Sequence, residues 1–110
     1  MIEKIIMDYL DKELDEPVSM EVPEKKRCYV VVEKTGSSKR NKIFGATIAV
    51  QSIGKTLYEA AELNEKVKAA MEGIEILDEI SSCRLNTDYN FTDTTTKRYR
   101  YQAVFDLVHY

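Results

Sequence analysis

Residues 27–42 read RCYVVVEKTGSSKRNK, and most of the predicted architecture depends on them. Successive side chains of a strand point to opposite faces of a sheet, and within CYVVV both faces are apolar. The pattern predicts a buried strand at residues 28–32. If helices cover one side of the sheet, a second subunit is expected to cover the other. The Lys-Thr-Gly step predicts that this strand ends in an exposed basic loop containing GSSK, residues 36–39.

Two amphipathic helices are predicted, one at the start of the chain and one at residues 56–72. Pro17 is expected to end the first. Thr56 is expected to cap the amide of Glu59, with Glu59 reaching back to the amide of Thr56, and Gly73 fits a left-handed stop. The apolar stripes have helical spacing. They comprise Ile2, Ile5, Ile6, Tyr9 and Leu10 in the first helix, and Leu57, Ala60, Leu63, Val67, Ala70, Met71 and Ile74 in the second.

The other segments alternate as strands do. A short strand is predicted at 18–22, a longer one at 42–54, and a hairpin from the runs SSCRLNTDYNF and RYRYQAVFDLVHY. The inward side chains of the hairpin are predicted to be Cys83, Leu85, Thr87, Tyr89, Phe91, Tyr99, Tyr101, Ala103, Phe105 and Leu107. The order αβββαββ predicts a single α+β domain over residues 1–110, with two helices on a mainly antiparallel sheet.

Charge is distributed unevenly along the 110 residues. The net charge is only −3. Residues 1–24 carry two bases and eight acids, residues 25–42 seven bases and one acid, and the remainder seven bases and ten acids. Such polarity suits a protein that docks onto copies of itself, with the acidic amino-terminal segment facing the basic stretch.

No group of residues stands out as catalytic, because the plentiful acids lie at solvent positions of the amphipathic helices. His109 is the sole histidine, and GSSK lacks the G-x-x-x-x-G-K-S/T spacing of a phosphate loop. Cys28 and Cys83 have no metal or redox spacing, so reduced thiols in the cytosol are expected. We therefore expect no enzyme activity, cofactor or metal, and the opening segment has no signal-peptide or membrane-span pattern.

Nucleic-acid binding is the alternative from another class. Lys39, Arg40 and Lys42, together with the basic and tyrosine-rich run at 97–101, would form a basic aromatic surface. The competing interpretation is a hairpin whose tyrosines face the core and whose bases face water. The sequence pI of about 5.2 also disfavours a dedicated nucleic-acid binder.

Two stretches resemble the small tail-terminator or tail-completion proteins of long-tailed phages. YVVVEKTGSS (29–38) is similar to their strand and turn, and ATIAVQSIGKTLYEAAELNEKVKAAM (46–71) is similar to the strand and helix that follow. The chain departs from them in having Gly36-Ser37 where relatives often have two glycines, and Ile53 where an aromatic residue is frequent.

The resemblance implies a structural protein without catalytic residues. Proteins of the tail-terminator family form rings, commonly hexamers, that cap the finished tail tube, stop its polymerisation and offer a surface to the head connector. The implied partners are further copies of the chain, the major tail tube protein and a neck or head-completion protein. The implied location of the protein is the host cytoplasm during assembly and then the virion tail. No membrane and no specific nucleic acid are expected. Lys39, Arg40 and Lys42 would face a neighbouring subunit, the tube or the lumen, unless they form an ordinary hairpin loop.

Overall fold

The computed structural model of the chain describes residues 1–21, 28–40, 43–92, 95 and 98–110, with only the main chain at residue 40. The elements are α1 (Ile2–Glu13), β1 (Val18–Ser19), β2 (Tyr29–Arg40), β3 (Ile43–Gly54), α2 (Leu57–Glu72), a 3-10 turn (Ile74–Ile76), β4 (Ile80–Asn90) and β5 (Tyr99–His109). The predicted α+β class and the order αβββαββ are confirmed.

The five strands form one sheet in the order β1-β2-β3-β5-β4. The β2–β3, β3–β5 and β4–β5 pairs are antiparallel, and β1 runs parallel to β2. Because β1 pairs only with Val30 and Val31, most of β2 borders no other described strand on its outer side. The strand β4 forms the opposite edge of the sheet.

Both helices pack on the same face of the sheet. The helical stripes meet the inward side chains of β2, β3 and β5, and together they form the main core. Its members include Ile6, Leu10, Val30, Val32, Ile48, Val50, Leu63, Val67, Met71, Ala103, Phe105 and Leu107. The predicted stripes are therefore largely confirmed, although Leu57 is exposed and Asn64 takes a buried position that the sequence pattern did not predict.

The basic segment after the valines was predicted to be a loop, and this prediction is wrong. The segment continues β2 as far as Arg40. The pairing with β3 shifts register between Lys34 and Gly36 and then continues until Arg40 faces Ile43. Main-chain hydrogen bonding to β3 does not depend on side-chain β-propensity, so a Gly-Ser-Ser segment can remain in the ladder. The connection between the two strands is thus limited to residues 41 and 42, which lie outside the described residues.

The inward pattern predicted for β4 holds at Cys83 and fails beyond Leu85. A bulge between Leu85 and Thr87 shifts the register, and a one-residue shift exchanges the two faces of a strand. Asp88 consequently faces α2, where its carboxylate accepts hydrogen bonds from Asn64 Nδ2 and Lys68 Nζ, both at 2.9 Å. The predicted inward residues beyond the bulge, Thr87, Tyr89 and Phe91, are exposed instead.

The ends of α2 differ from prediction in two details. Thr56 does accept the amide of Glu59 at 3.1 Å, but the Glu59 carboxylate binds the amide of Lys55 rather than that of Thr56. Gly73 has φ −94° and is not left-handed. A Cβ on Gly73 would lie 3.1 Å from the Tyr9 hydroxyl, which donates to Ala70 O, so close approach accounts for this glycine.

The first helix ends before the predicted stop. Leu14, the residue after Glu13, is already extended. The carbonyl of Pro17 accepts the amide of Val30 at 2.8 Å, so this proline begins the attachment to β2. The strand predicted at 18–22 is limited to Val18–Ser19, and residue 22 lies outside the described residues.

We expect Val67→Asp to unfold the protein. Val67 is completely buried between α2 and the sheet, and an unpaired charge there costs several kcal/mol in a domain whose stability is on the order of 5–15 kcal/mol. Ala69→Asp, at an exposed position of the same helix, is the control and should cost no more than about 1 kcal/mol. Thermal melting followed by circular dichroism measures both, and a normally melting Val67→Asp variant would show that the assigned core face is wrong.

We also expect the Asp88 contacts to make stability dependent on pH. The hydrogen bond from Lys68 lowers the pKa of the Asp88 carboxyl, so its contribution to stability is present above the unfolded pKa near 3.8 and is lost as the pH falls through the lower folded value. Asp88→Asn should therefore be less stable than wild type by about 1–2 kcal/mol at pH 7. Urea unfolding should show this difference shrinking below pH 4, and a difference that stays constant down to pH 2 would contradict the assignment.

Candidate functional site

The predicted contact residues lie at the closed end of the β2–β3 hairpin. Lys39 pairs with Phe44 across the hairpin, and its ammonium lies 5.4 Å from the centre of the Phe44 ring. On its other side Phe44 stacks on His109, with ring centroids 5.5 Å apart. Phe44 and Ile43 remain 36% and 46% exposed. The hairpin end therefore combines apolar surface with a cation that makes no ion pair within the described part of the chain.

The other two predicted residues are described only in part. The main chain of Arg40 pairs with Ile43, and Lys42 lies outside the described residues. The structure thus places Lys39 and Arg40 on the same hairpin end, but as strand residues rather than as residues of a projecting loop.

The basic residues near the start of β5 do not join this group. Arg100 pairs with Ile53, whereas His109, at the other end of β5, pairs with Phe44. Nine residues of strand separate the two positions, which corresponds to ~30 Å. Arg100 also binds locally, because its Nε donates to Phe91 O at 2.7 Å. The two basic groups proposed for nucleic-acid binding therefore lie at opposite ends of the sheet.

The acidic amino-terminal helix lies beside the basic strand of the same chain. Glu3 Oε1 is 3.9 Å from Lys34 Nζ, and a cleft between the start of α1 and the hairpin is bordered by both. In the described residues, part of the predicted charge pairing is therefore made within one molecule. A pairing between the amino-terminal segment and a neighbouring molecule stays a prediction.

A second surface, which the sequence did not reveal, is a cleft between α2 and β4. It has a volume of about 260 Å³, and we call it the α2–β4 groove. Its lining residues are Glu65, Lys68, Ala69, Met71, Glu72, Cys83, Leu85 and Phe105. Met71 and Phe105 are buried at its floor, while Leu85 is 45% exposed at its outer wall. The groove exists because α2 lies over β3 and β5 and leaves the edge strand incompletely covered.

The rim of the α2–β4 groove is acidic. Its one base, Lys68, is already bound to Asp88 and Glu65 at 2.9 and 2.8 Å. Glu72 has no ion-pair partner among the described residues, and Glu75 accepts the amide of Cys83 at 3.0 Å. The groove therefore presents apolar side chains next to uncompensated negative charge.

The sheet face away from the helices carries polar contacts between strands. Thr47 and Asn86 both donate to Asp106, at 3.1 and 2.8 Å, and Gln51 donates to Gln102 at 3.1 Å. These bonds connect β3, β5 and β4 across the face. Apolar burial on this face is concentrated in a small cluster of Tyr29, Val31 and Ile53. This cluster explains why β2 carries apolar residues on both of its faces near its start.

Both cysteines are free thiols, as predicted. Burial, with the nearby charges of Glu75 and Asp106, raises the pKa of Cys83 from 9.0 to about 11. Burial and a hydrogen bond from its thiol to Glu59 also raise the pKa of Cys28. The thiolate, which is the nucleophilic form, is therefore disfavoured at both positions.

Comparison with known proteins adds no relative. No protein-family model matches the chain, and no curated protein matches it. Over the described residues no helix is long and apolar enough to cross a bilayer, and no group of three or more His, Cys, Asp or Glu side chains is placed to hold a metal ion. The resemblance to tail terminators stays a prediction from the two quoted stretches, which form β2, β3 and α2.

We expect both thiols to react slowly with a maleimide at pH 7. A rise from 9.0 to about 11 lowers the thiolate fraction of Cys83 about 100-fold, and the greater nucleophilicity of a more basic thiolate recovers only part of this, which leaves alkylation about tenfold slower than at an ordinary thiol. Mass spectrometry over time, with and without denaturant, measures the rates. Fast labelling of the native protein, or a disulfide under nonreducing conditions, would contradict this assignment.

Proposed function

We propose that the protein is a structural component of a phage or prophage tail, which forms a ring on the end of the tail tube, stops its polymerisation and provides a surface for a neck or head-completion protein. The resemblance over β2, β3 and α2 supports this proposal, since these elements form the centre of the fold. The protein acts by binding copies of itself and the tube, without a bound cofactor.

The observation that carries the proposal is the presence of two unlike surfaces at separate places on the molecule. One is the hairpin end, where exposed Ile43 and Phe44 lie beside Lys39, which has no ion pair among the described residues. The other is the α2–β4 groove, where exposed Leu85 lies near Glu72, which has no ion pair in the described part of the chain. A ring of identical subunits requires heterologous contacts, in which one surface complements a different surface of the same chain. Two unlike surfaces that share no lining residue meet that requirement.

Nucleic-acid binding is favoured less by the described geometry. The basic groups of the hairpin end and of early β5 are separated by ~30 Å along the sheet. Arg100 packs its guanidinium on the Phe91 ring at 4.6 Å, so that side chain is engaged within its own hairpin. A continuous basic and aromatic track, which single-stranded nucleic acid requires, is not present among the described residues.

The experiment compares wild type with the triple variant Lys39→Glu, Arg40→Glu and Lys42→Glu. We expect the variant to fold normally but to form fewer rings and to cap fewer tail tubes, with the largest loss at low ionic strength, because exposed charge contacts are screened by salt. Sedimentation velocity measures ring formation, and electron microscopy of tubes polymerised from the tube protein of the same gene cluster measures capping. The control variant carries Lys4→Glu, Lys12→Glu and Lys55→Glu, which gives the same change of net charge elsewhere.

A parallel gel-shift assay with single- and double-stranded DNA and RNA separates the two functions. A wild-type protein that forms no rings, leaves tubes uncapped and binds nucleic acid tightly in a salt-sensitive way would overturn the tail-terminator proposal. Loss of nucleic-acid affinity in the triple variant while its assembly stays intact would point to the same alternative.

A further inference from the structure

The geometry points to one specific contact between neighbouring subunits: the β2–β3 hairpin end of one copy, through Lys39, Ile43 and Phe44, docks on the α2–β4 groove of the next copy, beside Glu72. This inference rests on the proposed ring and names the two surfaces that would build it. The acidic surface in this contact is therefore the carboxyl-terminal part of α2 and not the amino-terminal segment.

Apolar complementarity is the first support. Ile43 and Phe44 are large apolar side chains left partly exposed at the hairpin end. The groove has an apolar floor of Met71 and Phe105 and an exposed wall at Leu85. Its volume of about 260 Å³ is below the ~300–1,000 Å³ typical of small-molecule sites, but it accommodates one or two side chains. The groove is therefore better suited to a few side chains of another protein than to a free ligand.

Charge complementarity is the second support, and it selects a copy of this chain as the occupant. Lys39 and Glu72 make no ion pair within the described part of the molecule. Each lies beside one of the two apolar surfaces, so docking brings opposite unpaired charges together. Three of the amino-terminal acids are less available to a neighbour, since Glu3 lies 3.9 Å from Lys34, Asp8 is bound to Lys4 at 2.9 Å and Glu16 lies 3.5 Å from Lys66.

The position of the two surfaces allows the contact to repeat. The strand order places β5 between β3 and β4, so the strand that carries Ile43 and Phe44 lies about 10 Å from β4. The hairpin end and the groove share no lining residue, so a subunit that offers its hairpin to one neighbour keeps its groove free for another. Such a head-to-tail contact closes into a ring when the rotation between subunits is suitable.

The decisive experiment uses two single variants, Lys39→Glu and Glu72→Lys. Each alone brings like charges together at every contact, and we expect the dissociation constant of the contact to rise about tenfold at low ionic strength. An equimolar mixture should regain assembly, because a Lys39→Glu hairpin meets a Glu72→Lys groove while the remaining contacts have the wild-type charges. The double variant, in which the charges are exchanged, should also regain it. Sedimentation velocity measures all four samples.

Further variants distinguish loss of the proposed contact from effects of net charge and of misfolding. Lys55→Glu and Glu62→Lys repeat the two charge changes at exposed positions that border neither surface, and both should assemble like wild type. Leu85→Asp and Ile43→Asp place a charge in the apolar part of the contact and should each weaken assembly at least tenfold. Their native melting temperatures should stay near that of wild type, because both side chains are substantially exposed in the monomer.

The outcomes distinguish this contact from the ring itself. Wild-type rings together with normal assembly of both charge variants would overturn the contact and leave the proposed ring standing. Loss of assembly in both single variants without recovery in the mixture or in the double variant would also overturn it, since opposite charges would then not face each other. Wild type that stays monomeric alone and on tail tubes would overturn both the proposed function and this contact.

Discussion

The packing of α2 against the central strands is the contact on which the rest of the structure depends. Val67 and Met71 are buried against β3 and β5, the two strands at which the hairpins of the sheet meet. In the chain, α2 follows β3 and precedes β4, and the β3–β5 ladder joins the two hairpins along its whole length, from the pair Phe44–His109 to the pair Gly54–Tyr99. Loss of the apolar contact under α2 would leave the β2–β3 unit and the β4–β5 unit joined by this ladder without the helix packed over it. Both proposed assembly surfaces would then lose the packing that fixes their relative position.

The same packing explains why an apolar groove remains at the edge. One helix of this length covers two strands, and β4 lies beyond its reach except where Asp88 meets Asn64 and Lys68. The bulge after Leu85 is what turns Asp88 toward the helix, and it also interrupts the edge of the sheet. Leu85 and Cys83, just before the bulge, keep the inward direction without a helix to cover them. The groove is thus a consequence of the fold rather than an isolated defect.

Periodic apolar patterns predicted most of the fold, and the errors have local physical causes. The helices, the strand order along the chain and the inward face of β5 followed from the spacing of residues such as Val67, Ala103 and Phe105. The face of β4 beyond Leu85 could not be predicted from such spacing, because a bulge reverses the alternation without a clear signal in the sequence. The extension of β2 through GSSK was missed because its stability comes from main-chain pairing with β3. Of the candidate site, Lys39 and Arg40 were predicted as contact residues of a loop, whereas exposed Ile43 and Phe44 were not predicted as contact residues. The groove requires side chains from α2, β4 and β5 that only the tertiary structure brings together.

The placement of charge also limits how the molecule can associate. A basic stretch and an acidic segment that are adjacent in sequence would favour pairing within one chain, and the Glu3–Lys34 contact is of this kind. Lys39 and Glu72 make no ion pair within the described part of the chain, so both remain available to another molecule. A contact that relied on exposed ion pairs alone would be weak, since each contributes ~0–1 kcal/mol. In the proposed contact, the exposed apolar residues beside both charges would supply the larger part of the binding free energy, and the charges would select the partner surface and its orientation.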